Sequence, residues 1–128
     1  MDKQWEKVKE FHEIFGHPVS SDPTFMEKDR VEKRAKWMTE EIDEFVEATD
    51  LSEQVDAMID LIYFALGTLV EIGVKAEEVF NVVHEANMSK LGKDGKPIFN
   101  TEGKTIKPEG WVDPYTRIKN ILQGADGI

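Results

Sequence analysis

The residues in this chain best placed to do chemistry are two acidic clusters. The first reads Glu40-Glu41-Ile42-Asp43-Glu44 and the second Glu53-Gln54-Val55-Asp56-Ala57-Met58-Ile59-Asp60. Glu40 and Glu44 are four apart and Glu41 and Glu44 three apart; Glu53, Asp56 and Asp60 follow at intervals of three and four. At helical pitch such intervals put side chains on one face. Two helices joined by a short turn can therefore aim about five carboxylates at one another. Like charges that close repel, and a folded chain keeps them together only with compensation. A hard divalent cation is the usual compensation, and an all-oxygen donor set suits magnesium, manganese or calcium.

Asp60 is the sharper signal of the two clusters. It is the only charge between Ala57 and Val70. A helix that is apolar almost all round is buried on most sides, and a carboxylate within it needs a partner or a metal. On a helical wheel Asp56, Asp60, Tyr63 and Gly67 share one stripe, with Glu53 beside it, which suits a pocket floor. The competing reading pairs Asp60 with a core Lys or Arg. For the first cluster alone the competing reading is a solvated Glu-rich face.

Stepping along the chain places these clusters on helices. Trp5, Val8, Phe11, His12 and Phe15 recur at threes and fours, giving a first helix over about 2–15 that Gly16 ends and His17-Pro18 cannot continue. His12 and His17 lack metal-ligand spacing to a partner and read as packing or loop residues. A second helix over about 25–48 carries an apolar stripe of Val31, Ala35, Met38, Ile42 and Phe45, with Glu41 at its edge. Arg30, Lys33, Arg34 and Lys36 precede the acids and read as solvated; Arg34, one and two turns before them, could instead orient them. Ser52 is the expected N-cap of a third helix that runs to Ile72 and stops at Gly73. A fourth spans about 75–91. Residues 92–97 are dense in turn signals, 98–101 and 104–106 suggest a small hairpin, and Asp113-Pro114 opens a short last helix. The expected fold is all-α, a four-to-five-helix bundle in one domain over residues 1–128. A basic, glycine-rich loop or hairpin extends it over 92–113, and a loose tail over 124–128 ends it.

Composition narrows the function classes. A chain of 128 residues can bury one real core. Its formal charge of −10, from 26 acidic and 16 basic residues, argues against general nucleic-acid binding. It leaves a phosphorylated small molecule open, because a metal and a few local cations reverse the sign at a site. Without cysteine there is neither a disulfide framework nor thiol chemistry. No apolar signal region opens the sequence, and the apolar run of the third helix is too short to span a bilayer, so a cytoplasmic protein without a membrane partner is expected.

Taken in order, these motifs resemble the MazG-like, all-α nucleoside triphosphate pyrophosphohydrolases, a superfamily that includes phosphoribosyl-ATP pyrophosphohydrolase and the dimeric dUTPases. Its Glu-Glu-x-x-Glu motif is similar to Glu40 through Glu44, its second acidic motif to the segment ending in Asp60-Leu61-Ile62-Tyr63, and its Asn-x-x-Lys to Asn87 through Lys90. The basic tail from Gly92 to Trp111 is similar to the phosphoribosyl-ATP pyrophosphohydrolase-like branch. The likeness runs over about residues 8–114. It departs at the second motif, which is Glu-x-x-Asp in the family. With Asp60 as its Asp, the Glu position holds Ala57; with Asp56, the Glu is Glu53. That leaves the number of metal ions open.

The resemblance implies Mg²⁺-dependent hydrolysis of a nucleoside triphosphate to the monophosphate and pyrophosphate, with Mn²⁺ as a substitute ion, in a homodimer or a dimer of dimers. It casts Glu41, Glu44 and Asp60 as principal ligands and catalytic groups. Glu40 and Asp56 become further metal ligands or the base, with Glu53 and Arg34 behind them. Asn87, Lys90, Lys104, Lys107 and Tyr63 become substrate contacts. Trp111, Phe99 or Trp37 could stack on a base or belong to the core. Two other classes stay open on sequence alone: a metal-stabilised bundle that binds without turnover, and an acidic interaction module without a metal.

Overall fold

The computed structural model describes residues 1–124; residues 125–128, most of the expected loose tail, lie outside the described residues. Five helices follow one another: α1 (Asp2–Phe15), α2 (Lys28–Glu47), α3 (Leu51–Ile72), α4 (Ala76–Met88) and α5 (Tyr115–Leu122). The all-α expectation holds. No single helix among the described residues is long and apolar enough to cross a membrane. The chain divides into two compact units, Met1–Ala76 and Glu77–Ile128.

In the first unit α3 packs against both α2 and α1. The core between α1 and α3 is Trp5, Val8, Leu66 and Val70 with Ala76, and Val19 and Leu69 lie against it. Val8 and Val70 are the most completely buried large side chains, each stabilising the fold by roughly 1.5–3 kcal/mol. Gly16 and Gly73 end α1 and α3 in the left-handed conformation, at φ 76° and 84°. At Gly73 the backbone N–H bonds Val70 and that of Val74 bonds Leu69, which satisfies carbonyls a helix end otherwise leaves bare. The segment after α1 then crosses the same end: Ser20 N–H donates to Val70 O at 3.3 Å and Thr24 N–H to Ile72 O at 2.7 Å. A Cβ on Gly73 would run into the Asp22 carbonyl.

Two local expectations need correction. The N-cap of α3 is Asp50, not Ser52: its carboxylate accepts from Glu53 N–H at 2.8 Å, and Glu53 in turn accepts from the N–H and hydroxyl of Thr49, both at 2.8 Å. Asp caps better than a serine two residues inside the helix, because only at Asp50 does the backbone still have extended geometry. The apolar stripe of α2 is also not its buried face. Val31, Ile42 and Phe45 are exposed, whereas the one fully buried residue of α2 is Arg34.

In the second unit, Val82 and Ala86 are the buried side of α4. The expected hairpin reduces to a single antiparallel bridge, Phe99 with Thr105. Its turn is closed by Asn100, whose side-chain oxygen accepts from Glu102 and Lys104 N–H at 2.9 and 3.0 Å. Asp113 accepts from Tyr115 N–H at 2.8 Å and so opens α5.

Candidate active site

The first unit encloses a cavity of about 520 Å³ whose lining comes from α1, the segment after it, α2 and α3. Its walls are aromatic: Phe11, Trp37, Tyr63 and Phe64. Phe11 meets Tyr63 edge-on at 5.7 Å and lies against His17 at 5.5 Å; Trp37 and Phe64 are 6.1 Å apart. Glu41 and Asp60 line it as acids, and Arg34, His12 and His17 as bases. A cavity mostly apolar with a few converging charged groups is the usual form of a small-molecule site.

Glu41 carries the clearest electrostatic signature. Its Oε1 is buried and bonds to nothing among the described residues. Its carboxyl is held above the usual carboxylate range, first by burial, then by the charge of Glu44, then by Asp60, by a hydrogen bond with Glu44 and by the charge of Asp56. Glu41 thus lies within electrostatic reach of three other expected carboxylates, Glu44, Asp56 and Asp60. Glu40 is exposed and is not part of this cavity's lining. Glu53 is committed to Thr49, which holds its carboxyl below the usual range. No Lys or Arg is paired with Asp60 among the described residues, so the core ion pair considered for it is not formed there.

The donor chemistry of Glu41, Glu44, Asp56 and Asp60 fits a hard divalent cation, and the orphaned Glu41 oxygen is a ligand in want of a partner. The geometry is not preformed: among the described residues no three His, Asp or Glu side chains are grouped closely enough to hold a metal ion. The fit is one of donor type.

Arg34 and Arg30 depart most from the sequence reading. Both belong to a buried network, centred on Glu71, a residue that no motif had singled out. Arg30 Nε and Nη2 donate to Glu71 at 3.0 and 2.7 Å, and Arg34 Nη1 at 3.0 Å. Arg34 Nη2 also donates to Phe64 O at 2.7 Å and its Nε to Thr68 at 3.2 Å. Burial pushes Arg34 down and Glu71 opposes it, while hydrogen bonding to Glu71 raises Arg30; both guanidiniums stay charged. Gly67, on the stripe expected to floor a pocket, faces this network instead. A Cβ there would lie 2.5 Å from Arg34 Nη2 and 2.8 Å from His12 Nε2. Gly67 admits the two bases rather than a substrate. Arg34 sits over both Trp37 and Phe64, at 5.4 and 5.5 Å, and fixes those two walls.

His12 is buried, as a packing residue should be, yet it also lines the cavity. Its Nδ1 lies 2.9 Å from Pro18 O, which makes Nδ1 the protonated nitrogen when the ring is neutral. Burial is the main reason its pKa falls below 6.5. Phe11, beside it on α1, and His17, just past Gly16, meet its ring at 6.2 and 5.3 Å. The signals for the Glu71 network were a lone carboxylate closing an apolar helix and two arginines four apart on the helix before it.

Asn87, Lys90, Lys104 and Lys107 belong to the second unit. Asn87 is exposed at the end of α4. Lys90 and Lys107 both lie over the ring of Trp111, and Lys104 stands in the bridged turn.

The phosphoribosyl-ATP pyrophosphohydrolase family model matches residues 8–87, well over half the chain. The protein belongs to that family. The matched span takes in every cavity residue and every expected carboxylate, and it ends before Lys90. A crystal structure from Exiguobacterium sp. 255-15, provisionally named an NTP pyrophosphohydrolase, is 29% identical to this family member. The match covers 96% of either chain with a TM-score of 0.51. No curated protein matches the chain.

Proposed function

We propose that the protein hydrolyses a nucleoside triphosphate to the monophosphate and pyrophosphate with Mg²⁺, or Mn²⁺ in its place. The observation that carries this reading is Glu41: a carboxylate with a buried, unbonded oxygen, crowded by Glu44, Asp60 and Asp56 at an aromatic cavity, in a chain of this family. Glu41, Glu44 and Asp60 would hold the ion, with Asp56 and the more distant Glu40 as outer ligands or base. The ion, when bound, supplies a Lewis acid for phosphate oxygens and a more acidic water. The rest is done by the chain. Trp37, Phe64, Tyr63 and Phe11 offer flat apolar surface to a base and keep water from it. The Arg30–Glu71–Arg34 network holds two of those walls. Lys90, Lys107 and Lys104 would bind phosphates and Asn87 a phosphate or sugar oxygen.

A homodimer or dimer of dimers is part of the reading. Val31, Ile42 and Phe45 of α2 and Val55, Ile59 and Ile62 of α3 are large apolar side chains left exposed. A second copy would cover them.

The test is pyrophosphate release across a panel of normal, damaged and phosphoribosyl nucleotides, in Mg²⁺ and in EDTA. Metal-dependent release from at least one member is expected. Magnesium binding without release from any of them would favour a bundle that only binds, and neither would favour an interaction module.

A further inference from the structure

We infer that Trp111 holds Lys90 and Lys107 together as one two-ammonium site for an oligophosphate chain. This rests on the proposed triphosphate substrate and adds one residue, Trp111, which like Lys90 and Lys107 lies beyond the family-matched span. Trp111 is pinned. Its indole N–H reaches Ala86 O and Ser89 Oγ, each at 2.9 Å, and Ser89 Oγ donates to Ala86 O at 2.6 Å. These are groups at the end of α4, so the indole ties the loop that carries it back to the helix end where Lys90 stands. Its own backbone N–H closes a turn on Pro108 O at 3.1 Å. That turn begins one residue after Lys107.

The consequence is a pair of cations from segments far apart in sequence. Lys90 Nζ lies 5.1 Å and Lys107 Nζ 5.2 Å from the centre of the same ring. Their separation cannot exceed the sum of those distances, which is close to one Debye length, roughly 8–10 Å at physiological salt. Neither has a carboxylate partner among the described residues. The ring's negative face offsets part of their repulsion. A multiply charged anion bridging both ammoniums would offset the rest, and a chain of several phosphates carries more charge and reach to both than a single phosphate does. Trp111, held at its N–H and covered by two lysines, is thereby a positioning residue and not a surface on which a base stacks.

Isothermal titration of inorganic tripolyphosphate into the full-length protein in EDTA tests this without any turnover. The wild type should bind. Lys90→Ala and Lys107→Ala should each weaken binding by roughly tenfold, and orthophosphate should bind far more weakly than tripolyphosphate. Lys93→Ala removes the same charge from the same loop and should leave affinity within about twofold, since screening mutes a distant surface charge. Trp111→Phe keeps the ring but loses both indole bonds, and should weaken binding while leaving the α4 helix signal in circular dichroism unchanged. No binding by the wild type, an equal loss from Lys93→Ala and Lys107→Ala, or an undiminished affinity in Lys107→Ala would each overturn the site. Pyrophosphate release from nucleotides reports separately on the proposed function, so the two can fail independently.

Discussion

Glu71 offers the sharpest test of how the site is held. Its side chain is 3% exposed and accepts three charge-assisted hydrogen bonds, two from Arg30 and one from Arg34. The Arg34 side chain is 5% exposed, that of Arg30 25%. Replacing Glu71 by Ala leaves the Arg34 cation buried with only a carbonyl and a hydroxyl for partners. Breaking a buried pair in this way costs roughly 3–5 kcal/mol. Arg30→Ala removes the more exposed partner and leaves Glu71 still paired with Arg34, so it should cost less, roughly 1–3 kcal/mol. Against a total stability of about 5–15 kcal/mol for a small protein, the first change is severe and the second tolerable. Urea unfolding at neutral pH in EDTA measures both. Joining Glu71→Met to Arg34→Met should recover much of the loss, because no deeply buried charge is left. If Glu71→Ala costs under about 1 kcal/mol, the network behaves like a surface pair and the cavity walls do not depend on it.

Three further outcomes follow from the same geometry. Asp60→Asn should be at least as stable as wild type in EDTA, because it removes one of the charges crowding Glu41, and it should lose most of the thermal shift that Mg²⁺ gives the wild type; a much less stable mutant with an undiminished shift would end its assignment as a ligand. Gly67→Ala gains up to about 1 kcal/mol at an ordinary helix position, but here its Cβ meets Arg34 and His12, both tied to carbonyls, and a net loss of roughly 1–3 kcal/mol by thermal unfolding is expected. For His12 the folded pKa lies below the ordinary 6.5, so its contribution is fully present above pH 6.5 and is lost as pH falls from there through the lowered folded value; His12→Gln should flatten that part of the stability–pH curve, and an unchanged slope would show that His12 is not the group responsible.

Much of the fold was legible in the sequence because it is written in local terms. Threes and fours marked α1 to α4, and Gly16 and Gly73 ended two of them at the residues named. What escaped was whatever depends on tertiary partners. The stripe Val31–Ile42–Phe45 is periodic, but periodicity says only that a face is apolar and not that this chain covers it. Arg34 reads as a surface residue until Glu71 is brought beside it. The α3 cap was misplaced by two residues because Asp50 and Ser52 are both good caps, and backbone geometry chose between them. At the site, Glu41, Asp60, Tyr63 and Arg34 do share one cavity. Its aromatic walls and its two histidines were scattered over three helices and the segment after α1, with no common motif to gather them.

The measurement closest to the central claim is a product assay on the best nucleotide of the panel, in Mg²⁺, for the wild type and Glu41→Gln. One pyrophosphate should appear per monophosphate with the wild type, and formation should nearly cease when the Glu41 carboxylate loses its charge but keeps its shape. Orthophosphate as the product, or an undiminished rate from Glu41→Gln, would contradict the claim that these carboxylates carry a pyrophosphohydrolase.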